Sequence, residues 1–260
     1  MKKLLFTIPG HEVLSRQLLT HDGWTAGQAI FRHFPDGESY VHLLSPIAGH
    51  DVYLLCSLHQ PDEKVMWIYY FARLARQLGA RTVRLLAPYL SYMRQDKAFH
   101  PGEAVTADLF AELLSQWVDG LITIDPHLHR HHQLSEIYTI PALALHAGPL
   151  IADYLRQDLK RPVLLGPDAE SKQWVAAIAE AVGCDFTVLR KERLGDKEVR
   201  VTVPDAARFR RHTPVLVDDI ISTGHTMIEA ARHLQEQGIA APVCIGIHAV
   251  FAGPAWVEMR

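Results

Sequence analysis

The stretch of this chain with the most specific chemistry runs from Val215 to Met227 and reads VLVDDIISTGHTM. Its apolar start, over Pro214–Val217, predicts a buried parallel strand. The strand is expected to end in Asp218-Asp219, after which Ser222-Thr223-Gly224-His225-Thr226 opens a helix. In open α/β sheets ligands bind at the carboxyl ends of the strands. A Ser/Thr/Gly turn entering a helix offers backbone amides, hydroxyls and a positive dipole end to a phosphate. Two carboxylates beside it would repel phosphate but accept hydrogen bonds from sugar hydroxyls. The combination calls for a pentose 5-phosphate. A plain capped turn with a solvated acidic pair accounts for the hydroxyls but not for two acids following an apolar strand. No Gly-Lys-Ser/Thr follows, so this is not a Walker A loop.

Other residues carry chemistry more ambiguously. Arg94-Gln95-Asp96 follows a predicted strand, where an arginine can grip polyphosphate oxygens through two parallel bonds. Lys191 and Arg193 share a segment expected to be flexible, which suits closure over a transferring phosphoryl group and equally a solvated basic run. Phe34-Pro35-Asp36-Gly37-Glu38 has the composition of an ordinary turn. Taken by itself, His127 reads as a structural histidine at a strand end. The run His127–His132 lacks a carboxylate or cysteine partner at zinc spacing. The remaining single histidines, such as His11 and His59, read as surface or satisfied core residues.

Short β-rich runs alternating with helical patterns predict βα units around largely parallel sheets. Strands are expected at Lys3–Ile8, Val52–Ser57, Thr82–Ala87 and Gly120–Ile124, then Pro162–Leu165, Asp185–Leu189, Glu198–Val203 and Val243–Val250. Helices are expected at Glu63–Leu78, Ala104–Trp117, Leu150–Leu155, Ser171–Val182 and Thr226–Gln237. Two short runs, Ala29–Arg32 and Tyr40–Leu43, flank the Phe34–Glu38 turn and predict a hairpin. The two halves have similar length and layout, which is compatible with duplication, although no residue-level repeat marks it. Ala147-Gly148-Pro149 marks the expected boundary, giving domains 1–147 and 148–260.

At 260 residues, 48% hydrophobic, the chain can bury one large core or two small ones. A formal net charge of −3 gives no reason to expect nucleic acid or an anionic membrane as partner. No apolar run approaches the roughly 20 residues of a membrane helix, and Gly10-His11-Glu12 interrupts the N-terminal apolar stretch too early for a signal peptide. Three scattered cysteines suggest neither a disulfide framework nor a paired-Cys metal site. A cytoplasmic location is expected.

In order along the chain, Phe34–Glu38, Pro88–Asp96, Asp125-Pro126-His127, Gly166-Pro167-Asp168, Lys191-Glu192-Arg193 and the Asp218–Thr226 turn resemble the motifs of ribose-phosphate diphosphokinases, with the form of the archaeal-type branch. The resemblance spans the chain from its first strand onward. It implies an α/β fold of two similar phosphoribosyltransferase-type domains, each a mostly parallel sheet flanked by helices. It implies transfer of a diphosphoryl group from ATP to O1 of ribose 5-phosphate, with AMP released. It assigns Asp218, Asp219, Ser222, Thr223, Gly224, His225 and Thr226 to ribose 5-phosphate. Arg94, Gln95 and Asp96 fall to ATP, as do Phe34, Asp36 and Glu38 reaching over from a neighbouring subunit of a homo-oligomer. His127 and Asp168 become ligands of a catalytic Mg²⁺, and Lys191 and Arg193 the catalytic cations. A phosphoribosyltransferase that consumes the product, or a silent regulatory subunit, are the competing readings. His225 replaces a usual glycine, Ala169-Glu170-Ser171 a Gly-rich stretch, and Pro126 interrupts the metal motif. Members of this family usually continue through a further strand and helix beyond the point matching Arg260.

Overall fold

The computed structural model describes residues 3–169, 171–193, 199–202 and 206–260; for 190–193, 199–202 and 206–207 it describes the backbone alone. The chain forms two compact units, Met1–Leu145 and His146–Arg260. Each is a parallel sheet covered on both faces by helices.

Unit 1 begins with β1 (Lys3–Thr7), α1 (Glu12–Leu19) and β2 (Trp24–Ala26). The hairpin β3 (Ala29–His33) and β4 (Ser39–Leu43) follows. Then come β5 (Asp51–Leu55), α2 (Asp62–Gln77), β6 (Thr82–Ala87), α3 (Thr106–Trp117), β7 (Gly120–Ile124) and β8 (Ala142–Leu145). The sheet order is β2-β1-β5-β6-β7-β8, every pair parallel. Alternation splits its strands between two cores. Phe6, Val52, Leu54 and Leu85 join Ile68, Phe71, Ala72 and Phe110 of α2 and α3. Leu5, Tyr53, Leu55 and Leu86 face Leu14 and Leu18 of α1. Gly79, just past α2, takes φ +85°, the left-handed conformation that ends many helices.

Unit 2 runs α4 (Gly148–Asp158), β9 (Pro162–Gly166), α5 (Lys172–Val182) and β10 (Asp185–Val188). The antiparallel ribbon β11 (Arg190–Arg193) and β12 (Val199–Thr202) comes next, then a turn of helix α6 (Ala206–Phe209). β13 (Thr213–Ile221), α7 (His225–Glu236), β14 (Val243–Ala249) and α8 (Ala255–Glu258) complete it. The sheet order is β10-β9-β13-β14, again all parallel. Gly148 and Pro149, read from sequence as a boundary, form the first turn of α4, where a proline's missing N–H is harmless.

The duplication is legible in the topology. In both units a first strand leads through a helix to the second strand, which pairs on its outer side. A two-stranded antiparallel hairpin follows in both, then a third strand on the inner side, a helix and a fourth strand. The β5–α2 turn of unit 1 is thus the counterpart of the β13–α7 turn of unit 2. The β1–α1 turn likewise corresponds to the β9–α5 turn.

Candidate functional site

In unit 2 the apolar run Val215-Leu216-Val217 is fully buried, as expected of a central parallel strand. The strand does not stop at the acidic pair. It continues through Asp218 and Asp219 to Ile221, because Ile220 and Ile221 pair with His248 and Ala249 of β14. The turn is therefore only Ser222-Thr223-Gly224. Gly224 holds it together, with φ +70° and ψ −3°, a conformation that costs a side-chain-bearing residue energy. A Cβ on Gly224 would also lie 2.7 Å from Met259 Sδ, so the C-terminal helix α8 closes directly over the turn. Ala252 N donates to Ser222 O at 3.1 Å and ties the same segment to it.

The left-handed residue is thus Gly224 and not His225. His225 is the first residue of α7, its side chain 79% exposed and its Nε2 3.7 Å from Glu229 Oε1, one turn on. Replacing the usual glycine there imposes no backbone strain. The amides opening α7 have no partner within the helix and carry its positive dipole end.

Behind the turn sits a concentration of negative charge. The Asp218 carboxyl is pushed up to about 7, first by burial and then by the charge of Asp219, with Asp168 adding to it. Asp219 N donates to Asp218 Oδ1 at 3.0 Å. Asp168 follows β9 in a closed turn: Ser171 N donates to its Oδ1 at 3.1 Å and Ser171 Oγ to its carbonyl at 2.7 Å. Gly166 is required beneath this turn, since a Cβ there would sit 2.3 Å from Ser171 Oγ. Ser171 carries this bracing, and its sequence signal was only a hydroxyl three residues after an acid. Among the described residues no three His, Cys, Asp or Glu side chains converge to hold a metal. Asp168 nevertheless offers hard oxygen near Asp218, which fits Mg²⁺, an ion that commonly takes one or two protein ligands and completes its shell with water and phosphate.

In unit 1, Arg94, Gln95 and Asp96 lie between β6 and α3. Arg94 is exposed, with its charge available. Gln95 is anchored to the start of α3, its carbonyl accepting from Ala107 N at 3.2 Å. Asp96 does something the sequence reading missed. Its Oδ2 accepts from Arg130 N at 3.1 Å, and its Oδ1 lies 3.4 Å from Arg130 Nε. It fastens the Arg94 segment to the turn carrying His127, whose ring stacks on His129 at 4.8 Å. That turn leaves β7 through Asp125 at φ +34°, an uncommon conformation for a non-glycine residue.

The β3–β4 hairpin presents Phe34, Asp36 and Glu38 at an exposed tip, Phe34 being 38% exposed. Glu38 N donates to Asp36 Oδ1 at 3.3 Å, and Phe34 N to Glu38 O at 2.8 Å. The Arg32 guanidinium stands 4.3 Å from the ring centres of both Phe34 and Tyr40. Below, His33 stacks on Trp67 of α2 at 4.5 Å.

Lys191 and Arg193, expected on an irregular flexible segment, stand instead in β11, opposite Val201 and Val199. A ribbon outside the sheet needs no apolar alternation, which is why Arg-Lys-Glu-Arg gave no strand signal. Of the expected strand Glu198–Val203, the two end residues lie outside the described residues.

Two matched sheets, each with a strand-turn-helix site at its carboxyl edge, define a phosphoribosyltransferase-type α/β protein. Comparison with known families agrees: residues 3–117 match the N-terminal domain of ribose phosphate pyrophosphokinase and residues 133–259 the phosphoribosyl transferase domain. The ribose-phosphate pyrophosphokinase of Methanothermobacter thermautotrophicus is 31% identical over 88% of this chain and 79% of its own length. That of Methanopyrus kandleri is 34% identical over 84% and 74%. The crystal structure of phosphoribosylpyrophosphate synthetase from Mycobacterium smegmatis superposes with a TM-score of 0.85 at 24% identity, covering 100% of this chain and 85% of that one. The chain belongs to the ribose-phosphate pyrophosphokinase family. Among the described residues no helix is long and apolar enough to cross a membrane.

Proposed function

We propose that the chain transfers the diphosphoryl group of ATP to O1 of ribose 5-phosphate, giving 5-phosphoribosyl 1-diphosphate and AMP. The carrying observation is the pairing of a phosphate-accepting turn, Ser222–Thr226, with the buried Asp218-Asp219 pair, in a chain that also matches the family's N-terminal domain. Domain 148–260 holds the sugar phosphate: the turn amides with Ser222, Thr223, Gly224, His225 and Thr226 take the phosphate, and Asp218 and Asp219 accept from the ribose hydroxyls. Domain 1–147 holds ATP, with Arg94 on the polyphosphate and Gln95 and Asp96 supporting it.

Ribose O1 attacks the β-phosphorus as its proton passes to water, the bond from that phosphorus to the oxygen bridging the α-phosphate breaks, and AMP departs. No enzyme nucleophile is needed, so positioning and charge neutralisation supply the rate. Lys191 and Arg193, both in β11, neutralise charge on the transferring group. His127 and Asp168 would hold Mg²⁺, which when bound shields negative charge on the phosphate oxygens. The braced Phe34, with Asp36 and Glu38, reaches the adenine of ATP on a second copy of the chain, so the working form is a homo-oligomer, in the cytoplasm. A monomer by light scattering at assay concentration would contradict that assembly.

Incubation with ATP, Mg²⁺ and ribose 5-phosphate should release AMP and phosphoribosyl diphosphate in equal amounts. A protein that releases no AMP, yet binds phosphoribosyl diphosphate tightly, would instead be a transferase that consumes it. One that does neither would be a regulatory subunit.

A further inference from the structure

The unit 1 turn that corresponds to the phosphate turn has been put to another use. It reads Cys56-Ser57-Leu58-His59-Gln60-Pro61, with neither an acidic pair nor a Ser-Thr-Gly run. Its carbonyls are occupied from within. Lys64, in the first turn of α2 and only 8% exposed, donates from Nζ to Ser57 O at 3.0 Å and to His59 O, and lies 3.3 Å from His59 Nδ1. A buried ammonium is tolerated when its donors are matched, and here they are.

His11, on the counterpart of the metal-aspartate turn, reaches the same turn from the other side. Ser57 N donates to His11 Nε2 at 3.0 Å, so that nitrogen carries no proton. The proton sits on Nδ1, 3.2 Å from Pro9 O. The imidazole is neutral, in a tautomer fixed by its partners. Ser57 and Leu58 in turn clasp Tyr89, the second residue of the Pro88–Asp96 segment. Tyr89 N donates to Ser57 Oγ at 3.3 Å, and Leu58 N donates to Tyr89 O at 2.9 Å. Asp62, two residues before Lys64, accepts from the Tyr92 hydroxyl of that segment. An unbroken line of hydrogen bonds therefore runs from His11 through Ser57 to the start of the segment that carries Arg94.

We propose that His11 is a positioning residue for the ATP-binding segment, acting through the Ser57 amide, and that it does so only while its imidazole is neutral. Protonation of Nε2 would set an N–H against the Ser57 N–H and break the line at its first bond. Of the groups facing the ring, Lys64 favours the neutral state and Glu12 opposes it more weakly. The Lys64 ammonium and the His59 imidazole lie on the β5–α2 side, with ring centres of His11 and His59 6.1 Å apart, and on its own helix the Glu12 carboxylate is exposed and accepts from Gly10 N at 2.9 Å. The His11 imidazole is held below its ordinary range by burial first and by Lys64, against the pull of the Pro9 carbonyl. The proposal rests on the reading of Tyr89–Asp96 as the ATP segment.

Steady-state kinetics of the full chain between about pH 5.5 and 8, near the ordinary histidine range, test it, with His11→Ala, His11→Gln and Arg94→Ala. His11→Ala should raise KM for ATP roughly five- to tenfold at the alkaline end, the loss of one buried hydrogen bond. Its kcat and its KM for ribose 5-phosphate should stay near wild type. His11→Gln offers an amide oxygen to Ser57 N and does not titrate, so it should restore KM for ATP. It should also remove the part of the acid-side rise in KM that wild type shows, the titrations of ATP and Asp218 being common to both. A folded His11→Ala with unchanged KM for ATP overturns the proposal, as does a wild-type pH profile in His11→Gln. If His11→Ala does not fold, the His11→Gln profile decides. Arg94→Ala separates the two readings. If it raises KM for ATP while the His11 variants do not, only the positioning role fails. If it leaves KM unchanged, the ATP segment itself is misassigned and the role of His11 falls with it.

Discussion

Arg130 approaches Asp96 with both its amide and its guanidinium, at 3.1 and 3.4 Å, and so locks the Arg94 segment of unit 1 to the turn bearing His127. The Asp96 side chain is only 10% exposed, so its carboxylate is committed to this join rather than to a ligand. Asp96→Ala should therefore behave as a loss of alignment. We expect a stability loss of about 1–2 kcal/mol, the worth of a charge-assisted hydrogen bond to backbone, with lower kcat and weaker ATP binding together. Thermal denaturation and kinetics check this, and a change confined to KM for ATP would make Asp96 a simple ligand.

Asp218 links stability to pH with a definite sign. Its folded carboxyl titrates at about 7, above the ordinary value of 3.8. The folded state binds the extra proton between those values, so stability is lost as pH rises through that window and stays lost above it. Asp218→Asn cannot ionise. Its melting temperature should rise relative to wild type from pH 4 to 8, while its affinity for ribose 5-phosphate drops at pH 8, where wild type has the carboxylate. A constant difference in melting temperature across this range would refute the assignment.

Lys191→Ala should reduce turnover by a factor on the order of 100 to 1,000, the scale of lost electrostatic stabilisation at a transferring group. Calorimetric binding of ribose 5-phosphate should stay near wild type, because the sugar-phosphate turn belongs to β13 and α7. Unchanged turnover would remove the catalytic role.

Gly224→Ala meets two separable penalties. The positive φ costs about 1 kcal/mol for any residue with a Cβ, and the new methyl would press on Met259 Sδ, 2.7 Å away. Adding Met259→Ala should relieve the second penalty alone. KM for ribose 5-phosphate should rise in the single variant and recover partly in the double. Full recovery would show that the left-handed conformation is dispensable.

Phe34→Ala should raise KM for ATP several-fold, in line with about 1 kcal/mol for a lost aromatic stack, and leave KM for ribose 5-phosphate alone. Equal effects on both substrates would argue that the hairpin supports the fold rather than the adenine.

The parallel sheets were readable because buried strands such as Val215–Val217 and Val52–Cys56 are apolar runs bounded by polar or turn residues. The Phe34–Glu38 hairpin was readable from its turn chemistry. Two kinds of feature escaped. Strand β13 outruns its apolar pattern, since Asp218 and Asp219 are held in extended backbone by the β14 ladder, a partner remote in sequence. Charged β11 gave no period-2 signal because Arg190-Lys191-Glu192-Arg193 contains no apolar residue to alternate with its charges. The same limit hid the second roles of Asp96, Ser171 and Lys64. Each depends on a partner that only the fold brings near, and a histidine such as His11 looks like any surface histidine until the amide it accepts from is known. The left-handed position within the phosphate turn could not be assigned between Gly224 and His225 until the backbone was traced.

Both units carry a hairpin at one point of the chain path, between the second and third strands, and in neither case does it belong to the main sheet. Lengthening or re-sequencing such an appendage leaves the strand register and the helix packing untouched. Each unit can therefore carry a different tool there, an aromatic tip in one and a pair of cations in the other. The doubled architecture supplied two independent places for variation, and its cores were free to stay constant while the tools diverged.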